Sequence, residues 1–273
     1  MTSDEMFNWP DGDVILRGTH GTESRDFRVH KIFLSFASPV FKDMFKLLQP
    51  SSPSSNVDVI DVADPPRVLE LILRFIYPCS SPVIDDLTLL SEVLILADKY
   101  DIEAARSRLR PSLAGFAKTE PLKVYAIACR LGLEAEMKIA SSYTMSIDLP
   151  GLTQLPDEFK FGPATEYQRL VHLHARYRKE VVAIADRLTP TISSVIGGAG
   201  FYCPSDLGQR TAGQAVHRPV TDCIIKGIPL DYESFTLALK RDYGFDVEAC
   251  GVGHVVHSIL DQANALRLTF WHL

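Results

Sequence analysis

The sequence predicts an α+β fold in which a small sheet of about three strands is clasped by helical hairpins and followed by a mostly α-helical region. Three observations carry this prediction: β-rich segments lie within the first 62 residues, helical patterns predominate afterwards, and one strand-like segment separates two helical ones. The chain has 273 residues, of which 46% are hydrophobic and 23% charged, so it can bury an apolar core without disulfide bonds.

A β-hairpin followed by helices is predicted over residues 13–62. Residues 13–17 are β-rich, residues 18–22 form a turn cluster, and Phe27 and Val29 alternate with polar neighbours. Apolar residues then recur at helical spacing over residues 32–45, where Ser38 and Pro39 fit a helix cap and its first position. Residues 57–62 supply a third strand.

Asp64 is expected to cap the next helix, because two prolines follow it and favour a helix start. A further helix over residues 86–100 belongs to a weak repeat, in which residues 93–104 resemble residues 124–135 at a constant offset of 31. Each copy predicts two helices joined by a short reversal, and Gly132 suits the left-handed residue that ends a helix.

The rest of the chain is predicted to be helical. Residues 164–188 form one long charged helix, a glycine-rich linker follows at 197–200, and residues 230–243 and 247–268 resemble helices. Prolines and glycines interrupt the uncharged stretch 188–205, so we expect no membrane span.

Composition narrows the function classes. The formal net charge of −6 gives no broad positive field, which disfavours binding to nucleic acid. The five cysteines are odd in number and scattered, and the first residues include Asp4 and Glu5 and no apolar run. We therefore expect an intracellular protein, cytoplasmic or nuclear.

Several motifs in order resemble the BTB/POZ domain. They are a D-V-x-L strand within residues 13–16, F-x-V-H-K-x-x-L at 27–34, S-x-x-F-x-x-M-F at 38–45, LILRFIY at 71–77 and a helix ending in ADKY at 97–100. This resemblance covers residues 9–112. Residues 120–141 are similar to the helical extension of BTB proteins from mushroom-forming fungi, a short BACK-like segment, so we expect a helical extension over 119–188 and a region of uncertain, helical character over 189–273.

The resemblance implies a non-enzymatic scaffold that binds other proteins, often its own copy as a homodimer. Exposed apolar patches mark such interfaces, and the interface candidates are Met6, Phe7, Trp9, Ile32, Phe33 and Phe36. The leader residues among them could instead pack on their own domain. Other conspicuous residues are expected to determine the fold: Asp13, His30, Lys31, Ser38, Pro39, Phe41, Met44 and Phe45. Among them, His30 is expected to lie in the core or at its boundary with its hydrogen bonds satisfied.

One alternative is an adaptor for a cullin ubiquitin ligase. Family members that recruit a cullin often carry a hydrophobic-x-Glu element after the M-F helix. No acidic residue stands two positions after Phe45, Leu47 or Leu48, which weakens this hypothesis.

A second alternative is a metal-binding C-terminal region with a separate activity. Cys250, His254 and His257 would share a helical face, and Cys223 or Cys203 could add a ligand. Gly251 and Gly253 inside that helix argue against it. His172 and His174 point to different sides of a helix and are interpreted as a solvated face. No nucleophile elbow or phosphate-binding loop is present, so we expect no enzyme and no cofactor.

Overall fold

The computed structural model describes residues 6–47, 57–198, 220, 222–223, 232–243, 247–248 and 253–269. It confirms the α+β prediction. The elements are β1 (Val14–His20), β2 (Glu23–Val29), α1 (Lys31–Ala37), α2 (Pro39–Leu47), β3 (Asp58–Val62), α3 (Pro66–Ile76), α4 (Leu87–Lys99), α5 (Glu103–Gly115), α6 (Pro121–Arg130), α7 (Glu134–Thr144), α8 (Ala164–Gly198), α9 (Tyr232–Tyr243) and α10 (Gly253–Thr269).

The chain divides into two compact units, Met1–Phe116 and Ala117–Leu273. The first contains a three-stranded sheet in the order β2-β1-β3, with β1 antiparallel to β2 and parallel to β3. Gly21 opens the two-residue β1–β2 turn with φ of 58°, which costs glycine little. One sheet face is buried and forms part of the core through Val14, Leu16, Phe27, Val29, Ile60 and Val62.

The corner between α1 and α2 is held by Ser38, as the sequence indicated. Its Oγ accepts a hydrogen bond from the Phe41 amide at 3.0 Å and donates one to the Tyr100 carbonyl. Phe41 is fully buried and stacks on the Tyr100 ring, with 4.4 Å between centroids. Met44 and Phe45, two further residues expected to determine the fold, are only half-buried. Helical spacing predicts which residues share a face, but it does not predict what covers that face.

The prediction that Asp64 caps α3 is wrong. Pro65 stands at the cap position, and no side chain caps the helix there. The Asp64 carboxylate is buried and instead accepts hydrogen bonds from Lys99 Nζ, at 2.7 and 2.9 Å, and from the Tyr100 hydroxyl. Lys99 and the Tyr100 hydroxyl, which are distant in sequence, bind the Asp64 carboxylate more strongly than the backbone amides at the start of α3 would.

The two copies of the repeat have matching backbone geometry. Asp101 and Gly132 both have positive φ, at 51° and 65°. The next amide in each copy bonds back five residues, Ile102 to the Ala97 carbonyl and Leu133 to that of Ala128, at 2.8 and 2.9 Å. These are the bonds that close a helix through a left-handed residue, so the α4–α5 and α6–α7 hairpins repeat in structure as well as in sequence.

Three helix boundaries in the second unit differ from the predicted ones. Helix α8 extends to Gly198, ten residues beyond the predicted end, and so includes Pro190 and two glycines of the expected linker. Residues 247–248 form a turn, and α10 starts only at Gly253. Helix α9 starts at Tyr232 rather than residue 230. None of the helices in the described residues is long and apolar enough to cross a membrane.

His174 is buried, contrary to the expectation of a solvated pair, whereas His172 is exposed. The Thr144 hydroxyl donates to the Ser141 carbonyl at 2.7 Å, so it can only accept from His174 Nε2, which lies 3.0 Å away. We infer that Nε2 carries the hydrogen. Burial, helped by the nearby Arg178 charge, lowers the pKa of His174 to about 4.

Removing the Tyr100 hydroxyl is expected to destabilise the first unit. Tyr100→Phe keeps the stack on Phe41 but leaves the buried Asp64 without one donor, which costs about 1.5–3 kcal/mol. Tyr232→Phe is the matched control, because its hydroxyl bonds Glu248 at an exposed site and should contribute less than about 1 kcal/mol. Chemical denaturation of both variants measures the difference, and equal losses would contradict a special role for Asp64.

Stability of the second unit is expected to fall with acid through His174. The imidazole pKa is about 4 in the folded state and 6.5 for an unperturbed histidine, so its contribution is complete above pH 6.5 and disappears as pH falls towards 4. The loss is roughly 2–4 kcal/mol. In His174→Gln the acid slope of thermal unfolding should flatten, since the amide donates to Thr144 without titrating. His172→Gln should retain the wild-type slope, and identical slopes in all three proteins would refute this prediction.

Candidate interaction surface

The leader before β1 packs on its own domain. Asn8 forms a parallel bridge with Arg28 of β2, and the Trp9 amide donates to the Arg28 carbonyl at 3.0 Å. Phe7 is buried although its φ of 67° is unfavourable for a residue with a side chain. Burial of its ring against Tyr77, 5.3 Å away, offsets that strain. Of the two alternatives for the leader, contact with its own domain is therefore realised for Phe7, while Met6 is half-buried.

Tyr77, at the end of α3, is the centre of an aromatic cluster. Its ring lies 4.9 Å from that of Phe33 and 6.3 Å from that of Trp9, which is nearly parallel to it. His30 lies against both Trp9 and Phe33. Sequence reasoning missed this role, because it considered Tyr77 only as the last residue of the LILRFIY motif. The signal that could have found it is that a buried tyrosine needs a hydroxyl partner.

His30 has two partners, the Tyr77 hydroxyl and the Asp11 carboxylate. Its backbone amide donates to the Tyr77 hydroxyl at 2.8 Å, and its Nδ1 lies 3.0 Å from the same oxygen. The Tyr77 hydroxyl can accept the amide hydrogen and donate its own to Nδ1, while Nε2 lies 3.4 Å from Asp11 Oδ1. Burial raises the pKa of Tyr77 to about 12, so the hydroxyl remains a donor at neutral pH.

Both ends of α1 are fixed by residues from the predicted motif. The Asp13 carboxylate accepts from the first helical amide, that of Lys31, at 2.7 Å. The Lys31 ammonium pairs with Asp58. The Ser38 amide donates to the Leu34 carbonyl at 2.9 Å where the helix ends. Asp13, Lys31 and Ser38 thus set the position of α1, while Pro39 begins α2.

Only Leu34 of α1 is buried. Three other large apolar side chains point outward: Ile32 is 74% exposed, Phe33 40% and Phe36 95%. Trp9 is 40% exposed and adjoins them through His30. We call Trp9, Ile32, Phe33 and Phe36 the α1 face. An exposed apolar surface of this kind is typical of a protein interface.

The predicted metal ligands are not brought together in the described residues. Cys223 is buried, His254 and His257 are exposed, and His257 stacks on Tyr232 with 3.8 Å between ring centroids. Cys250 and Cys203 lie outside the residues that the structure describes. Within those residues no three potential ligands form a group. The metal hypothesis stays a prediction, which metal analysis of the purified protein would decide.

Residues 11–114 match the family model of the BTB/POZ domain. The three-stranded sheet, the α1–α2 corner and helices α3 and α4 lie within these residues. Residues 11–114 of the chain therefore form a BTB/POZ domain, which is a protein-interaction module.

Two curated proteins illustrate the similarity. The chain is 25% identical over 122 residues to TD and POZ domain-containing protein 5 of Mus musculus, which is 45% of this chain and 35% of that protein. It is 33% identical over 91 residues to Kelch-like ECH-associated protein 1A of Danio rerio, 33% of this chain and 14% of that protein. The chain thus covers well under two thirds of either relative. The finer resemblance to fungal proteins stays a prediction.

Gly12→Ala is expected to displace the leader. A β-carbon there would lie 2.9 Å from both the Val29 carbonyl oxygen and Arg28 Cγ, so the backbone must move at a cost of about 1–3 kcal/mol. Trp9 should become more exposed, and tryptophan emission should shift to longer wavelength. Gly115→Ala, at a helical position with no atom within 4 Å of the added carbon, should leave the emission unchanged. An unshifted spectrum for Gly12→Ala would disprove close leader packing.

Proposed function

We propose that this BTB/POZ protein is a non-enzymatic scaffold that forms a homodimer through the α1 face and presents a further surface to protein partners. The observation that carries the proposal is the exposure of Ile32, Phe33 and Phe36 on one short helix. A folded domain retains such a surface at a cost in solubility, which contact with a partner removes.

The free energy gained by burying the apolar side chains of the α1 face supports a two-fold dimer. Fully burying a side chain such as phenylalanine or isoleucine contributes about 1.5–3 kcal/mol. In a two-fold interface the same patch is buried on both subunits, so each side chain counts twice. The resulting gain is comparable with the roughly 4–15 kcal/mol that association costs.

The charges beside the α1 face favour an apolar partner such as a second copy. The Lys31 ammonium pairs with Asp58. This pair can therefore approach an interface without leaving an isolated charge in it, which would be costly. The four residues of the α1 face itself carry no charge.

The absence of catalysis is part of the proposal. Titratable groups buried in the first unit already have structural partners: Asp64 binds Lys99 and Tyr100, and Glu70 binds Arg25 and Arg74 at 2.7 and 2.6 Å. Groups held in this way stabilise a fold and are poorly placed to transfer protons.

The cullin-adaptor hypothesis has its own test. The place of the expected element follows α2, where Leu47 is 83% exposed and residues 48–56 lie outside the described part of the chain. Direct binding to a cullin amino-terminal region, measured by calorimetry, would support this alternative. A lack of binding at tens of micromolar would remove it without affecting self-association.

Phe36→Glu is expected to convert the dimer to a monomer. The side chain is 95% exposed in the single chain, so the substitution should leave the fold intact while placing two like charges near the two-fold axis. Sedimentation velocity at micromolar concentration measures the change. Leu47→Glu is the matched control, because Leu47 is also apolar and exposed but lies outside the α1 face.

The two variants are expected to differ in oligomeric state. Wild type and Leu47→Glu should sediment as dimers, and Phe36→Glu as a monomer with an unchanged melting temperature. A monomeric wild type, or dissociation by both substitutions alike, would refute self-association through the α1 face.

A further inference from the structure

The outer edge of β3 is left without a neighbouring strand in the described part of the chain. Strand β3 pairs with β1 on one side only, and the sheet ends there. The opposite edge differs, because the leader covers the end of β2: Asn8 pairs with Arg28 and the Trp9 amide donates to the Arg28 carbonyl. A strand edge of this kind is a template for pairing with another extended chain.

The exposed side of β3 presents one apolar and one acidic side chain. Val59 is 45% exposed, and the Asp61 side chain is 74% exposed. Because residues two apart share a face of a strand, Val59 and Asp61 lie side by side on the solvent face of the sheet. Ile60, between them, faces the core and is buried.

Asp61 can form a stronger ion pair than its present one with Arg17. Arg17 lies 3.6 Å from Asp61 but 2.7 Å from Asp26, to which its second guanidinium nitrogen also donates. The Asp26 hydrogen bond is the largest contribution that raises the pKa of Arg17. The guanidinium is therefore committed to Asp26, and this part of the sheet carries two carboxylates for one cation.

The negative charge of Asp61 favours a basic peptide over a second copy of β3 at this edge. A second copy of β3, paired antiparallel around Ile60, would bring two Asp61 carboxylates to diagonal positions on one face, where like charges repel. A strand with a basic residue beside Asp61 and an aliphatic residue beside Val59 would satisfy both positions.

We infer that the outer edge of β3 binds an extended peptide by strand addition, and that the peptide carries a basic and an aliphatic residue two positions apart. This site is distinct from the α1 face and does not depend on self-association. The partner would therefore be recognised by backbone pairing together with the Val59 and Asp61 side chains.

The probe is the heptapeptide Thr-Lys-Thr-Val-Thr-Lys-Thr, labelled for fluorescence anisotropy and titrated with the full chain. Its Lys-Val-Lys face fits Val59 and Asp61 in either strand direction. Two control peptides replace both lysines with glutamate, or the valine with proline, which cannot donate to a sheet. Hydrogen exchange with mass spectrometry on the full chain then locates the protected amides.

The inference predicts binding of the lysine peptide, at least about fivefold weaker binding of both control peptides, and protection confined to residues 57–63. Asp61→Lys should weaken binding about fivefold to tenfold, whereas Asp43→Lys, the same charge change on α2, should not. Asp61→Asn serves as a milder variant if the reversal perturbs folding.

Three results would overturn the inference: no binding, equal binding of the proline peptide, or protection located elsewhere. Equal binding of the proline peptide would mean non-specific charge attraction. Phe36→Glu should bind the lysine peptide as wild type does, so failure of this inference is separable from failure of the dimer.

Discussion

The first unit depends on the buried carboxylate of Asp64. It lies between β3 and α3 and accepts hydrogen bonds from Lys99 and Tyr100 at the end of α4. Tyr100 in turn stacks on Phe41 and accepts from Ser38 through its carbonyl. One buried charge and its donors thereby connect the sheet, the α1–α2 corner and the later helices. A buried charge requires partners in definite places, so this network specifies geometry as well as contributing stability.

The anchoring of α1 at both ends explains why it leaves apolar side chains outside. The helix has seven residues, and Asp13 at its start and Ser38 at its end prevent it from rotating. A helix turns 100° per residue, so in so short a segment few side chains face the core, and here only Leu34 is buried. The exposure of Ile32, Phe33 and Phe36 therefore follows from how the helix is anchored.

Local patterns predicted the elements well and their partners poorly. The strands, the α1–α2 corner and the helical repeat depend on residues within a few positions of one another, and they were found. Asp64 was misassigned because its donors are 35 and 36 residues away. The predicted α8 was too short because a proline such as Pro190 ordinarily ends a helix. The helix continues through it, as a long helix can when one proline removes a single backbone hydrogen bond.

The residues of the candidate surface, too, could be predicted from local sequence only in part. Ile32, Phe33 and Phe36 could be selected from sequence because the BTB/POZ resemblance implies an interface on the first helices. Tyr77 could not, because its role depends on where α3 ends relative to the leader and to His30. The acidic edge of β3 was also missed, since which strand lies at an edge follows from the sheet order alone. Local composition determines what a segment can present, and the topology determines whether that surface remains open to a partner.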